Sequence, residues 1–280
     1  MTAEADAAWL AILRLLPPRS LGVSACVCRA WAAHAESLFA RDVSRRREGV
    51  LLLAPSAADA SELSATFAYC PVSAWAEENV SGGGCADCSS DTSEHALLGW
   101  ECGPACACAA APLLCRRRAT QRPVTQPLSL RRVPGAGWGV FADTVVERGA
   151  FVCLYAGEVL TTEAARARFA EQDAAGSMNF VMVLREHTRD GTMVSCIDPS
   201  RAGNVGRFIN HACGDAANLD LRLVRSAGWP LPRAAFFACR RIQAGQELRY
   251  SYGVGGKTGR TRCGCGGREC TGWLPDERAV

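Results

Sequence analysis

Apolar residues recur along this chain with two different periods, and the changeover divides it. Over residues 7–16, Trp9, Ile12, Leu13 and Leu16 fall at helical spacing and make one apolar face, which Pro17 and Pro18 bring to an end. Ser20 can cap a second helix that carries Val23, Val27 and Trp31 on one side. Residues 44–67 read as a linker, with Arg45, Arg46 and Arg47 as a solvated charge run and 51–53 as a short buried strand. From about residue 128 the pattern becomes short apolar runs between glycine turns. It predicts strands at 140–141, 151–155, 180–184, 235–239 and 247–252, the last two joined by a turn at Ala244-Gly245. One helix is expected over 162–172, capped by Thr161 or Thr162, with Glu163 in its first turn. A loop is expected at Trp229-Pro230-Leu231-Pro232.

Composition narrows this to a globular chain of one or two domains: 280 residues, 49% of them hydrophobic, with a net charge of +3. So weak a positive balance does not point to direct nucleic-acid binding. Nearly all the positive charge is arginine, and Lys257 is the only lysine. Glu4, Asp6 and Arg14 break up the start of any secretory signal, and no apolar run has the length needed to span a membrane. A soluble, intracellular protein is therefore expected. The 16 cysteines cluster, and without an oxidising compartment C-x-C and C-x2-C spacings favour zinc over disulfides. Residues 68–121 hold Cys70, Cys85, Cys88, Cys102, Cys106, Cys108 and Cys115 among small residues. There thiolate–metal bonds can replace a core that so few apolar residues could not build.

The densest chemistry lies at 203–213, which reads Gly203-Asn204-Val205-Gly206-Arg207-Phe208-Ile209-Asn210-His211-Ala212-Cys213. Its apolar residues suit burial, yet Asn204, Arg207, Asn210 and His211 would each cost about 1–3 kcal/mol if buried without a partner. That combination suggests a site rather than a plain core strand. Further on, Tyr250 and Tyr252 stand one pleat apart, and Cys263, Cys265 and Cys270 form a C-x-C-x4-C run one ligand short of a tetrahedral zinc site. Cys213 is the candidate fourth ligand.

With Gly137-Trp138-Gly139-Val140-Phe141 and Tyr155-Ala156-Gly157-Glu158-Val159 before them, these pieces arrive in an order that resembles the SET-domain protein lysine methyltransferases. The resemblance covers about residues 68–276 and the subclass with zinc regions on both sides of the catalytic domain. Residues 151–213 are most similar to the methyltransferase half of SET–transposase fusion proteins. It implies a mainly β fold of small curved sheets, with 203–213 threaded through a loop. The implied order is a pre-SET zinc region at 68–127, a SET domain at 128–254 and a post-SET zinc loop at 255–280.

The same resemblance implies an S-adenosylmethionine-dependent enzyme of chromatin that methylates histone H3, located in the nucleus with the cytoplasm as a second compartment. Tyr252 matches the catalytic tyrosine, Tyr155 a channel tyrosine, and Tyr250 the position that limits the product to mono- or dimethyllysine. Ala136, Gly137, Trp138, Phe180, Asn210 and His211 match cofactor contacts, Asn210 and His211 mainly through backbone groups, and Trp273 would fold over the lysine channel. Cys213, Cys263, Cys265 and Cys270 would hold one zinc ion; Cys85, Cys88, Cys102, Cys106, Cys108 and Cys115 would serve the pre-SET region. The family uses nine cysteines in that region and this chain has at most seven, so fewer metal ions are expected. His95 reads as a surface histidine, Arg207 as a brace for the threaded segment and Glu158 as structural. Two departures stand out. The turn after Cys213 (Gly214 to Asn218) is two residues longer than usual, and Leu154 replaces a common glutamate.

Residues 1–43 carry a second resemblance. Leu16-Pro17-Pro18-Arg19-Ser20-Leu21, followed by Val27-Cys28-Arg29-Ala30-Trp31, is similar to an F-box without its leading Leu-Pro. This implies a Skp-type cullin-ligase adaptor bound through residues 7–40, and the alternative function of a substrate adaptor with a weakened SET fold. A helical hairpin packed on the catalytic domain is the other reading of this segment.

Overall fold

The computed structural model describes residues 50–52, 68–69 and 100–275, apart from 104–105, 111–114, 123, 189–190, 227–230 and 254–260. The F-box-like segment, Cys70, Cys85, Cys88, His95 and the loop at 229–230 lie outside these residues.

Strands dominate. A first sheet sets β1 (Val50–Leu52) parallel to β3 (Leu128–Val133), which pairs in turn with the antiparallel β4 (Gly137–Ala142). A second runs in the order β5 (Phe151–Leu154), β11 (Arg233–Ala238), β10 (Leu219–Val224), β12 (Arg249–Tyr250), β9 (Asn210–His211). The third joins β2 (Ala68–Tyr69), the long β8 (Gly191–Gly203) and β6 (Gly157–Leu160), with β7 (Met182–Thr188) paired to β8 as well. One core runs beneath them, filled by Leu128, Leu130, Val140, Val152, Ile197, Ile209, Phe236, Ile242 and Leu248. The mainly β expectation holds.

The helix expected over 162–172 is present as α1 (Thr162–Ala174). The Thr161 hydroxyl caps it by accepting the Ala164 N–H at 3.2 Å. Ala165, Phe169 and Gln172 recur at helical spacing on its buried face, which packs with Val181, Val183 and Cys196. On the same helix Arg168 reaches the fully buried Asp198 of β8, donates to Ser200 Oγ at 3.0 Å and pairs with Glu158 at 3.2 Å. Glu158 is thus structural, as expected.

Several strands differ from expectation. Phe180 is not in a strand, because the Asn179 side chain accepts the Val181 N–H at 2.8 Å and turns the chain just before β7. The run expected over 247–252 shrinks to Arg249–Tyr250. Its neighbours are drawn to side chains, with the Glu247 carbonyl accepting Asn218 Nδ2 and the Tyr252 N–H donating to His211 Nδ1. Strands β2, β3, β6, β8, β9 and β10 were not anticipated. Pro199 lies inside β8, although proline ordinarily argues against a strand interior, and the β6–β8 register shifts there.

Candidate active site

The 203–213 segment is gripped at both ends. At its start the buried Asn204 donates to the Leu154 carbonyl at 2.9 Å and accepts from the N–H groups of Ala156 (3.3 Å) and Gly206 (3.0 Å). It thereby ties the segment to the end of β5, where Tyr155 stands. Arg207 donates to the Pro199 carbonyl at 3.1 Å and stacks its guanidinium on the Phe180 ring, 4.4 Å from the centroid, so it braces the segment as expected. At the far end β9 runs parallel to β12, with Asn210 opposite Arg249 and His211 opposite Tyr250, and the Ala212 N–H donates to the Tyr250 carbonyl at 2.9 Å.

This pairing gathers the tyrosines. The Tyr252 ring lies 4.8 Å from that of Tyr250 and 5.2 Å from His211, while Phe236 stands 4.7 Å from Tyr250 and 6.2 Å from Tyr155. The Tyr252 hydroxyl donates to the Ile209 carbonyl at 2.9 Å, and the Tyr155 hydroxyl donates to the carbonyl of Phe180. Burial pushes both phenols above their ordinary value. Tyr252 adds to the shift at Tyr155 while Arg207 opposes it, and Glu247 adds to the shift at Tyr252. Both hydroxyls are neutral hydrogen-bonding groups at physiological pH. They can orient an amine, but neither is a strong base.

Beside the tyrosines runs the Gly137 strand. Trp138 is buried, and its indole Nε1 finds no hydrogen-bond partner among the described residues. Gly137 adopts φ +76° with open space where a side chain would be, and Ala136 is exposed on the turn before it. A buried orphan donor beside open backbone fits a small polar ligand such as S-adenosylmethionine. Gly139 is required for a different reason: a Cβ there would stand 2.7 Å from Glu247 Oε1 and 3.1 Å from Asn210 Nδ2.

Asn210 Nδ2 donates to Glu247 Oε1 at 2.8 Å and to the Trp138 carbonyl at 3.1 Å. His211 Nδ1 accepts the Tyr252 N–H, so its proton sits on Nε2 and is donated to Cys213 Sγ at 3.1 Å. Burial lowers the His211 pKa, which keeps the ring neutral. Both side chains are thus engaged within the protein.

The four cysteines expected to share a metal come together: the sulfurs of Cys213, Cys263, Cys265 and Cys270 all lie within 4.8 Å of one another. Four thiol ligands at that spacing suit one tetrahedral zinc ion. Burial raises Cys263 to about 12. At Cys265 burial also works against the thiolate, yet the amides of Cys213 and Gly267 and the thiols of Cys263 and Cys270 together outweigh it and bring the thiol down to about 6. The longer turn after Cys213 does not displace it. The extra residues form a 3-10 turn over Gly214–Ala216, with Gly214 at φ +46° against Glu269, and Asn218 then leads into β10. Trp273 sits on the same loop, bridged to Arg262, whose guanidinium lies 4.0 Å from its ring centroid.

In the pre-SET part, Cys102, Cys108 and Cys115 lie within 4.8 Å of one another. Cys106 packs in the same cluster, but it stands outside that trio and its sulfur accepts the Gly103 N–H at 3.2 Å. Arg118 donates to Cys108 Sγ at 3.2 Å, and the buried Glu101 anchors the region to the β11 side through Arg233 at 3.4 Å. Glu101, Asn218, Glu247 and the Arg168–Asp198 pair all escaped sequence reasoning. Each is an ordinary polar residue whose only signal is the company it keeps after folding.

A SET domain model matches residues 137–253. The histone-lysine N-methyltransferase SUVR3 of Arabidopsis thaliana is 42% identical over 190 residues, covering 63% of this chain and 52% of that protein. The probable histone-lysine N-methyltransferase set-23 of Caenorhabditis briggsae is 37% identical over 180 residues, covering 62% of this chain and 71% of its own length. The crystal structure of the methyltransferase domain of human histone-lysine N-methyltransferase SETMAR superposes with a TM-score of 0.64 at 26% identity, covering 84% of this chain and 97% of that one. The chain spans about half the length of SUVR3.

Proposed function

Because this chain belongs to the SET-domain family, we propose that it is an S-adenosylmethionine-dependent protein-lysine N-methyltransferase of chromatin, acting on histone H3 in the nucleus and adding one or two methyl groups. The observation that carries the reading is the wall of Tyr155, Tyr250 and Tyr252, the first two buried and the third half-buried, with Tyr155 and Tyr252 held against the carbonyls of Phe180 and Ile209.

When bound, S-adenosylmethionine supplies an electrophilic methyl group. The protein must then hold a lysine amine in line, exclude water and accept the amine neutral, and positioning of this kind can contribute several kcal/mol. Removing the proton from a lysine of pKa about 10.4 costs roughly 4–5 kcal/mol at pH 7. A wall of neutral phenols suits an amine that gives its proton to water on entry, because nothing in the wall needs to act as a strong base. Tyr252 orients the amine through its hydroxyl, Tyr155 packs along the lysine stem, and Tyr250 occupies the space that further methyl groups would need. Ala136, Gly137, Trp138, Phe180, Asn210 and His211 form the cofactor side, Trp273 closes the channel mouth, and Cys213, Cys263, Cys265 and Cys270 hold the zinc that fastens the loop beneath it. Cys102, Cys108 and Cys115 hold a further zinc.

The test is transfer of labelled methyl from S-adenosylmethionine to histone H3, with Tyr252→Phe in parallel. Label on H3 that vanishes in the variant supports the reading. Failure of the wild-type protein to bind S-adenosylmethionine would overturn it.

A further inference from the structure

Glu247 has no part in the chemistry described above, yet it is among the most thoroughly used side chains in the molecule. Its carboxylate is 7% exposed, and its two oxygens face opposite ways. Oε1 accepts from Asn210 Nδ2 at 2.8 Å, and that same amide nitrogen also donates to the Trp138 carbonyl. Oε2 accepts from Arg249 Nε at 2.7 Å and from the second guanidinium nitrogen as well. The Arg249 fork then continues, donating from Nη1 to the Cys265 carbonyl at 3.1 Å. Asn218 fixes the backbone on both sides, donating Nδ2 to the Glu247 carbonyl and accepting the Arg249 N–H, each at 2.8 Å.

We propose that Glu247 is a positioning residue coupling the cofactor side of the site, at Asn210 and Trp138, to the C-terminal thiolate loop at Cys265. The inference rests on the methyltransferase reading for the identity of the ligand. The physical argument rests on acceptors. A carboxylate has lone pairs to satisfy an amide donor at one oxygen and a guanidinium at the other, with charge-assisted bonds on the Arg249 side. A glutamine in its place has one oxygen, and its NH2 group must then face either Asn210 Nδ2 or Arg249, donor against donor. Gly139 leaves no slack, because the carboxylate already fills the space its side chain would occupy. Occupancy of the cofactor side therefore bears on the order of the thiolate loop, and by linkage the loop bears equally on affinity.

The experiment uses the full chain and S-adenosylhomocysteine as the probe. Its affinity is measured by calorimetry, and the alkylation rates of Cys263, Cys265 and Cys270 by peptide mass spectrometry, with and without saturating probe. Wild-type protein should be alkylated several-fold more slowly when the probe is bound. Glu247→Gln should bind about tenfold more weakly and, at saturation, gain no protection. Arg249→Lys, which cannot span Glu247 and the Cys265 carbonyl together, should keep most of the affinity and lose the protection. It carries the test if Glu247→Gln does not fold. A merely structural role would lower the melting temperature and leave probe-dependent protection intact. Full protection in both variants, or a wild-type protein that binds the probe without protection, overturns the proposal. A wild-type protein that binds no probe overturns the methyltransferase reading first.

Discussion

The Nε2–H of His211 points at the sulfur of Cys213, 3.1 Å away, while the other ring nitrogen accepts the Tyr252 N–H. One imidazole therefore steadies a candidate zinc ligand and the candidate catalytic tyrosine together. Outer partners of this kind hold metal ligands in orientation, and their loss costs roughly 10–100-fold in metal affinity. His211→Ala should lose zinc to a chelator faster than wild type and lower kcat as well. A chelator competition followed by metal analysis reads the first effect, and labelled-methyl transfer the second.

Tyr250 is packed between Phe236 and Tyr252 with its ring buried. Tyr250→Phe keeps that packing and removes only the hydroxyl, so stability should fall by no more than about 1 kcal/mol. The product distribution should move toward di- and trimethyllysine, which intact-mass spectrometry of the methylated histone would resolve.

Asp198 is wholly buried and is held by Arg168 and by the Ser200 N–H at 2.8 Å. Removing one partner of a buried pair strands the other, so Asp198→Ala should lower unfolding free energy by about 3–5 kcal/mol. Glu158, the outer partner of Arg168, is 35% exposed, and Glu158→Gln should cost less than about 1 kcal/mol. Paired denaturant titrations would separate the two.

The tyrosines set the alkaline behaviour. Burial raises both Tyr155 and Tyr252, so above pH about 10 the unfolded chain releases protons that the folded protein keeps. Their contribution to stability is therefore complete below that pH and is lost as pH rises through the folded values. Denaturant midpoints should hold steady toward pH 10 and fall beyond it, with a shallower fall in Tyr252→Phe. Methyl transfer should rise with pH between 7 and 9 as the substrate amine loses its proton, with no tyrosine limb in that range.

Much of the site was legible because its residues come in local runs. Cys263, Cys265 and Cys270 lie within eight positions, where spacing alone suggested a metal site, and Tyr250 and Tyr252 lie two positions apart, where the resemblance to the SET family supplied their roles. The helix expected over 162–172 was readable from its threonine cap and the acidic Glu163 in its first turn. Strand β8 was not, because Pro199 and the polar residues around it mimic a loop. Phe180 was misassigned because a single Asn179 side chain diverts the backbone, a local competition that apolar pattern does not record. The contacts of Glu247 and Asn218 were invisible for a deeper reason. Their contacts with Asn210 and with each other span 37 and 29 positions, and a carboxylate or amide needs no particular spacing to make them.

The parallel pairing of β9 with β12 also dictates when the site can exist. Asn210 and His211 leave the ribosome roughly forty residues ahead of Arg249 and Tyr250, and the thiolate loop follows later still. Until then the Ile209 and Ala212 backbone groups lack the Tyr252 hydroxyl and the Tyr250 carbonyl that they bond in the finished protein, and closing so long a loop is slow. The candidate active site is accordingly among the last parts of this domain to form during synthesis. A chain cut anywhere before residue 249 would lack β12 and with it the tyrosine cluster altogether.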